Sequence, residues 1–375
     1  MSDLNRQIKD EARASGFEVV GITSARPLAI DDEAFARWRA SGFAADMDYM
    51  KRRTDLHAHP SLLVPAARSV ITLAINYYAE APRFEHSNRY GRVARYAWGR
   101  DYHDVVRPRL EELAAGIEKI AGRAVGHRSF VDSVPLLERA VAARAGVGFF
   151  GKNTNLLQPS KGSWFFLAEI LIDLELRPED RQMKISCGTC HRCIDACPTS
   201  AFAGPYLLDS RRCISYLTIE NRGAIPVELR AGVGEWIFGC DICQEVCPFN
   251  RFSSDTLWPE LKPEAGAGQS LDLVELLSIA NDELFRARFC GTPLTRPKRR
   301  GLLRNAAVVA ANVGCTDAVP VLAERIENDP EPLIRSHALW ALSRLDAQKA
   351  VPLLHRSLND PDPQVREESL ALLSN

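Results

Sequence analysis

The sequence predicts a multidomain α/β + α protein, on three observations. Strand-like and helix-like segments alternate as far as residue 176. Eight of the ten cysteines fall between Cys187 and Cys247, and none precedes Cys187. A segment of about 31 residues repeats near the C-terminus. Alternation points to an α/β sheet, a dense cysteine patch to a small metal-bound domain, and a short repeat to a helical solenoid. The corresponding spans are 1–176, 177–252 and 253–375.

In the first span, Ser2 to Ser15 reads as an amphipathic helix and Phe17 to Thr23 as a strand. Val70 to Tyr77 is a β-branched, largely apolar strand, the kind buried on both faces. Asp104 to Ile120 carries Val105, Leu110, Leu113, Ile117 and Ile120 at helical spacing. Arg128 to Asp132 is a strand ending at an acid, and Ser163 to Leu174 is a further strand. Together they predict an open sheet with helices against it. Gly146-x-Gly148-x-x-Gly151 has dinucleotide-loop spacing, but no strong strand precedes it, so a nicotinamide site is unsupported.

In the second span, Cys187-x2-Cys190-x2-Cys193-x3-Cys197-Pro198 has the spacing of bacterial ferredoxins. There the first three thiolates hold one cubane and the fourth reaches the other. Cys240-x2-Cys243-x3-Cys247-Pro248 is a second copy lacking its middle cysteine, and Cys213 between the copies supplies the missing thiolate. The count closes at eight ligands for two 4Fe–4S clusters. Cys187, Cys190, Cys193 and Cys247 make one set; Cys197, Cys213, Cys240 and Cys243 make the other. Structural zinc is the competing reading, but zinc favours two Cys-x2-Cys pairs per site over a triple run ending in Cys-Pro. The span is therefore a ferredoxin-like electron conduit. Cys290 and Cys315 lie outside it and read as small buried apolar residues.

In the third span, Ala318-Val-Pro-Val-Leu322 is echoed by Ala350-Val-Pro-Leu-Leu354. Asn328-Asp-Pro-Glu-Pro-Leu-Ile-Arg335 is echoed by Asn359-Asp-Pro-Asp-Pro-Gln-Val-Arg366. Each unit is a helix, an Asn-Asp-Pro turn and a second helix, resembling a short HEAT-like repeat. A lead-in helix covers Leu302 to Val313, and so short a stack needs a preceding domain to rest on.

The net charge of −1 excludes a protein that binds nucleic acid through its overall charge, so any basic surface is local. The polar N-terminus lacks a signal-peptide core. The apolar run Phe165 to Ile172 is broken by Glu169, short of the roughly 18 residues of a membrane span. A cytosolic protein without membrane association is expected, with a monomer as the default.

Several stretches together resemble the epoxyqueuosine reductase family. They are Arg95-Tyr-Ala-Trp-Gly-Arg-Asp-Tyr-His103, Phe130-Val-Asp-Ser-Val-Pro-Leu-Leu-Glu-Arg139, Ala145-Gly-Val-Gly-Phe-Phe-Gly-Lys-Asn153 and Gly162-Ser-Trp-Phe-Phe-Leu-Ala-Glu169. They continue with Asp209-Ser-Arg-Arg-Cys-Ile-Ser-Tyr-Leu-Thr-Ile-Glu220, Gly239-Cys-Asp-Ile-Cys-Gln-Glu-Val-Cys-Pro248 and Gly301-Leu-Leu-Arg-Asn305. The resemblance implies an oxidoreductase with cobalamin on the α/β domain, fed by the two clusters. It implies reduction of epoxyqueuosine to queuosine at the wobble position of tRNA with a GUN anticodon, the last step of that pathway. The core is shared with reductive dehalogenases.

Taking an epoxide to an alkene removes its oxygen as water, at the cost of two electrons and two protons. The departing oxygen needs a proton donor, and burial suits such an acid by raising its pKa. The family's proposed donor falls on Asp132; spacing alone favours a cap for a helix beginning at Ser133-Val-Pro135. Glu138 and Arg139 read as an ion pair shaping the site. Lys152 and Asn153 face a corrin amide or form a solvated turn. The resemblance further places corrin contacts at Asp132, Leu156, Leu167, Ser215 and the loop Cys240, Asp241, Ile242 and Cys243. His57 stands where relatives often carry Arg. Asp101-Tyr-His103 approaches the Asp-x-His-x-x-Gly motif that supplies a lower cobalt ligand, but Val106 replaces its Gly. His103 is therefore expected not to ligate cobalt, leaving cobalamin base-off.

Arg286 to Arg304 holds seven basic residues and no acid. A charge run is commonly a solvated face. At the entrance to a repeat array in a near-neutral protein it suits phosphate contacts. Asn221, Arg222, Lys298, Arg299, Arg300 and Arg304 are the expected tRNA contacts, with Tyr216 beside them, while the repeats grip the anticodon stem and the target base leaves its stack. An external low-potential donor, a ferredoxin or flavodoxin, supplies the electrons. Two other classes compete: a dehalogenase-like reductase of a small molecule, which leaves the basic run idle, and an electron carrier fused to a protein-binding module, which leaves the first 176 residues idle.

Overall fold

The structure is a computed structural model that describes residues 3–82, 84–180 and 183–374. It divides into two compact units that interleave along the chain. The first comprises Met1–Glu80, Arg100–Ser210 and Ile242–Lys262; the second comprises Ala81–Gly99, Arg211–Asp241 and Pro263–Asn375. The linear boundaries expected near 176 and 252 therefore do not mark the units. The reason is a small sheet of the second unit, in which Tyr90–Val93 pairs with Trp236–Phe238 on one side and Ser270–Asp272 on the other.

The first unit is built on helix α1 (Asp3–Ala14), strand β1 (Val19–Ser24), strand β2 (Ser69–Asn76), helix α2 (Tyr102–Ala121), strand β3 (His127–Phe130), helix α3 (Glu138–Arg144) and strand β4 (Phe165–Ile172). Ser2, the expected first residue of α1, lies outside the described residues. The sheet order is β1–β2–β4–β3, and every pairing is antiparallel. Strand β2 is nonetheless buried from Ser69 to Ile75, as its composition predicts, because helices cover the sheet. Val70 and Leu171 pack with Ala140 and Val141 of α3. Alternation along the strand turns Ile71, Leu73 and Ile75 to the other face, where each is fully buried. Helix α2 starts where the Asp101 carboxylate accepts the His103 N–H at 3.0 Å, and ends at Gly122 with φ +66°.

In the second unit, helices α4 (Lys298–Val313), α5 (Val319–Asn328), α6 (Pro332–Leu345), α7 (Ala347–Ser357) and α8 (Pro363–Leu373) follow the expected lead-in and two repeats. Each Asn-Asp-Pro turn uses its aspartate as an anchor. Asp329 is buried and accepts from Arg299 of α4 and Arg325 of α5, while Asp360 accepts from Arg335 of α6 at 2.7 and 2.9 Å. The repeated motif thus encodes a charged clasp between successive helices. Among the described residues no helix is long and apolar enough to cross a membrane.

Candidate functional site

Four cysteines of the first unit ring one cavity. Cys187, Cys190, Cys193 and Cys247 line it with Lys152, Asn153, Leu157, Arg192, Pro248 and Phe249. These are the four thiols that the spacing grouped into one set. Short helices at Arg192–Asp195 and Ile242–Glu245 turn the chain between them. The Lys152 N–H points at Cys187 Sγ at 3.4 Å, and the Ala201 N–H points at Cys197 Sγ at 3.3 Å. Burial, reinforced by the neighbouring Cys187 and Cys247, pushes the Cys193 thiol up to about 11; burial also raises Cys247. Thiols that oppose one another's ionisation fit a cationic iron–sulfur group that takes them as thiolates. Of the second expected set, Cys197 and Cys243 belong to the first unit, and Cys213 and Cys240 to the second.

Lys152 and Asn153 serve these loops. Lys152 Nζ donates to the Gly188 carbonyl at 2.7 Å, and Asn153 Nδ2 donates to the Cys243 carbonyl at 3.3 Å. Both side chains thus hydrogen-bond the cysteine segments.

The second feature of this unit is the end of β3. Asp132 has φ +44°, in the left-handed region that a non-glycine residue rarely occupies. Its Oδ2 accepts the Tyr102 hydroxyl at 2.7 Å, and its N–H donates to Glu138 Oε1 at 2.9 Å. Tyr102 stacks on Phe166, centroids 4.2 Å apart, which fixes the hydroxyl. The following helix begins at Glu138, so Asp132 does not cap it. Asp132 is also exposed rather than buried; the burial expected of it falls on Glu169. His103 Nδ1 lies 2.8 Å from Asp101 Oδ1. That hydrogen bond, aided by the charges of Asp101 and Asp132, raises the imidazole pKa against the effect of burial.

The expected Glu138–Arg139 ion pair is replaced. Arg139 donates to the Thr154 carbonyl at 2.7 Å, while Glu138 faces Glu169. Adjacent residues on a helix point in different directions and do not meet. Glu169 sits in mid-sheet, opposite Thr72 on one side and Phe130 on the other. Burial raises the pKa of both carboxyls, and for Glu138 the proximity of Glu169 adds to it. Tyr102 and Glu169 escaped the sequence reading. Glu169 had a signal, an acid breaking an apolar strand, that was used only against a membrane span.

Among the other expected corrin positions, His57 is buried against Phe35, and its Nδ1 has no hydrogen-bond partner. Burial and the Arg39 charge lower its pKa, favouring the neutral ring. Leu156 lies inside a core cluster with Ala74, Ala142, Ala145 and Val147, and Leu167 flanks it half-buried. Ile242 and Cys243 belong to the same unit. Ser215, Cys240 and Asp241 belong to the other, where Asp241 is buried and accepts the Arg95 N–H at 2.6 Å.

In the second unit the basic run divides. Arg304 is wholly buried and donates to the carbonyls of Leu217, Asn221 and Gly223 at 2.6–2.8 Å. Arg299 is buried on Asp329. Against the expectation of surface contacts for tRNA, both are buried and spend their donors inside the protein, on neighbouring carbonyls and a carboxylate. Asn221 is buried and spends its side chain on its own turn, donating to the Ala224 carbonyl and accepting the Gly223 N–H. Tyr216 is buried as well. Arg222, Arg296 and Lys298 are exposed and Arg300 is half-buried. Arg296 forms a two-pronged pair with Glu220 at 2.9 and 3.1 Å. Cys315 is buried as expected; Cys290 is exposed, because it follows the last turn of the short helix Asp282–Phe289.

Three family models match. The model described as "Epoxyqueuosine reductase QueG, DUF1730" covers residues 57–133, "4Fe-4S double cluster binding domain" covers 186–250, and "HEAT repeats" covers 297–374. The double-cluster match assigns two iron–sulfur clusters to the chain. Among curated relatives, the epoxyqueuosine reductase of Pseudomonas aeruginosa is 42% identical over 91% of this chain and 94% of its own. That of Escherichia coli K12 is 36% identical over 92% and 90%. Among solved structures, an epoxyqueuosine reductase with an epoxyqueuosine-modified tRNA-Tyr stem loop superposes with a TM-score of 0.91, at 31% identity over 99% of both chains. The Bacillus subtilis epoxyqueuosine reductase, solved with its catalytic aspartate loop swung out of the active site, gives a TM-score of 0.89 at 30% identity over 99% of this chain and 98% of its own. A cluster cavity, a strained aspartate and a helical repeat array thus occur in a chain that matches these enzymes nearly end to end, and the chain belongs to the epoxyqueuosine reductase family.

Proposed function

We propose that this oxidoreductase reduces epoxyqueuosine to queuosine at the wobble position of tRNA, with Asp132 as proton donor. The observation that carries the reading is Asp132 itself: an exposed carboxyl in a strained conformation, fixed by Tyr102 and Glu138. A relative matched along nearly the whole chain is known with the modified stem loop, which supports the substrate.

Cobalamin is the second cofactor of the proposal, beside the two clusters. Two observations in the first unit fit it: the unpartnered, buried Nδ1 of His57, available to an amide-bearing macrocycle, and the half-open apolar side chain of Leu167. When bound, it would supply low-potential electrons to the epoxide. The chain's own groups handle the rest. Cys187, Cys190, Cys193 and Cys247 hold one cluster; Cys197, Cys213, Cys240 and Cys243 hold the other on sequence spacing. The departing oxygen takes its proton from the Asp132 carboxyl. Tyr102 keeps that carboxyl oriented, and His103 beside it carries a proton more readily than a free histidine. Two electrons and two protons convert the epoxide to an alkene and water. An external low-potential ferredoxin or flavodoxin refills the clusters.

On the RNA side, the exposed cations Arg222 and Lys298 and the half-buried Arg300 are the proposed phosphate contacts. Lys298 and Arg300 stand in the first turn of α4, the end of a helix that disfavours cations and attracts anions. The test is anaerobic reconstitution with iron, sulfide, cobalamin and a reductant, then nucleoside mass spectrometry of tRNA accumulated at epoxyqueuosine. Cobalamin-dependent loss of one oxygen is the expected result. Intact clusters and bound cobalamin without conversion would exclude this substrate.

A further inference from the structure

Three acids, Asp132, Glu138 and Glu169, meet at the end of β3. Glu169 is fully buried in the middle of the sheet. Its Oε1 accepts the Thr72 hydroxyl at 3.3 Å, and its Oε2 is buried without a hydrogen-bond partner. The Glu138 carboxyl lies within hydrogen-bonding reach of it. Two carboxyls in contact at such a place cannot both ionise, and one proton between them satisfies the lone oxygen. Glu138 Oε1 accepts the Asp132 N–H at 2.9 Å. That bond closes the turn in which Asp132 holds its left-handed φ.

We propose that Glu138 and Glu169, sharing one proton, are positioning residues that latch the Asp132 backbone so that its carboxyl meets Tyr102 and the substrate. The proposal rests on Asp132 as the proton donor. With the proton shared, Glu138 stays turned inward and accepts the Asp132 N–H. With the proton lost, two carboxylates repel, the Asp132 charge adds to the repulsion, and the latch opens. The charged groups bearing on the pair are Asp132 and, on α3 itself, Arg139. Burial pushes the Glu169 carboxyl up to about 8; Glu138, raised well above its usual range by burial and by the charge of Glu169, is the last of the pair to ionise, so the latch stays closed at neutral pH and opens only on the alkaline side of the Glu169 titration.

Two readouts on cobalamin-free protein with reconstituted clusters test this without turnover. Infrared spectra should show a protonated carboxyl that persists as Glu169 ionises around pH 8, titrates away only at higher pH and is missing from Glu169→Gln. Hydrogen exchange at the Asp132 amide, corrected for intrinsic rates, should accelerate about tenfold or more as wild type passes that higher pH. In Glu169→Gln, whose amide donates permanently to Glu138, it should stay slow; in Glu138→Ala it should be fast throughout. Exchange in β2 and β4 serves as the folding control. Turnover should show an alkaline limb in wild type that moves upward in Glu169→Gln, which a merely structural role would not produce. Absence of the carboxyl band, or a Glu169→Gln exchange profile identical to wild type, overturns the latch. Absence of turnover in wild type would instead refute the substrate, leaving the infrared and exchange results to decide the latch.

Discussion

The buried acids Glu169 and Asp329, one in each unit, sit in opposite settings. In the second unit, buried charges meet complements: Arg299 lies on Asp329 and Arg335 on Asp360, Arg230 pairs with Glu368 at 2.7 Å, and Arg304 donates to backbone carbonyls. In the first, the buried acid Glu169 faces another acid, and Asp132 above it is held in a strained backbone. Paired burial specifies an architecture. Like-charge burial destabilises, and it persists where chemistry needs a shifted proton or a fixed geometry. The same residue types therefore mean structure in one unit and reaction in the other.

The sharpest way to break this contrast is to remove one member from each side. Asp132→Ala should lower turnover by roughly 10²–10⁴-fold, the usual range for a general acid, measured as single-turnover conversion of tRNA. Arg299→Ala, which leaves Asp329 with Arg325 as its one remaining cation, should cost about 1.5–3 kcal/mol in denaturant unfolding. Asp132→Gly should relieve the left-handed strain and stabilise the protein by up to ~1 kcal/mol while losing activity. A fourth test uses pH. Glu169 has a folded-state pKa raised above its unfolded value, so its contribution to stability is fully present below about pH 4.5 and is lost as pH rises through about 8. Unfolding of Glu169→Gln should lack that component. The smallest effect belongs to the exposed cations. Arg222→Ala should weaken tRNA binding and lower the salt slope by about one, without changing stability.

Elements set by local spacing were legible in the sequence. The four strands, α1, α2 and the repeat helices follow hydrophobic period and turn chemistry. Cys187, Cys190, Cys193 and Cys247 were grouped by ligand arithmetic, and the fold brings them to one cavity. What stayed hidden depends on distant partners. Arg299 and Arg304 look like surface charge because Asp329 and the Leu217–Gly223 carbonyls that consume their donors lie far away in sequence. Tyr90–Val93 gives no sign that it joins a sheet with strands more than a hundred residues on. Glu169 was visible as an interruption of an apolar strand, but its meaning required Glu138 and Asp132 to be folded against it.

One measurement tests the contrast most directly: turnover and unfolding free energy determined together on Asp132→Asn. Asparagine keeps the size of the side chain and tolerates the left-handed backbone, but supplies no carboxyl proton. The account predicts queuosine formation reduced by about a hundredfold or more with stability unchanged. Turnover retained alongside lost stability would contradict it, and would make Asp132 a part of the architecture.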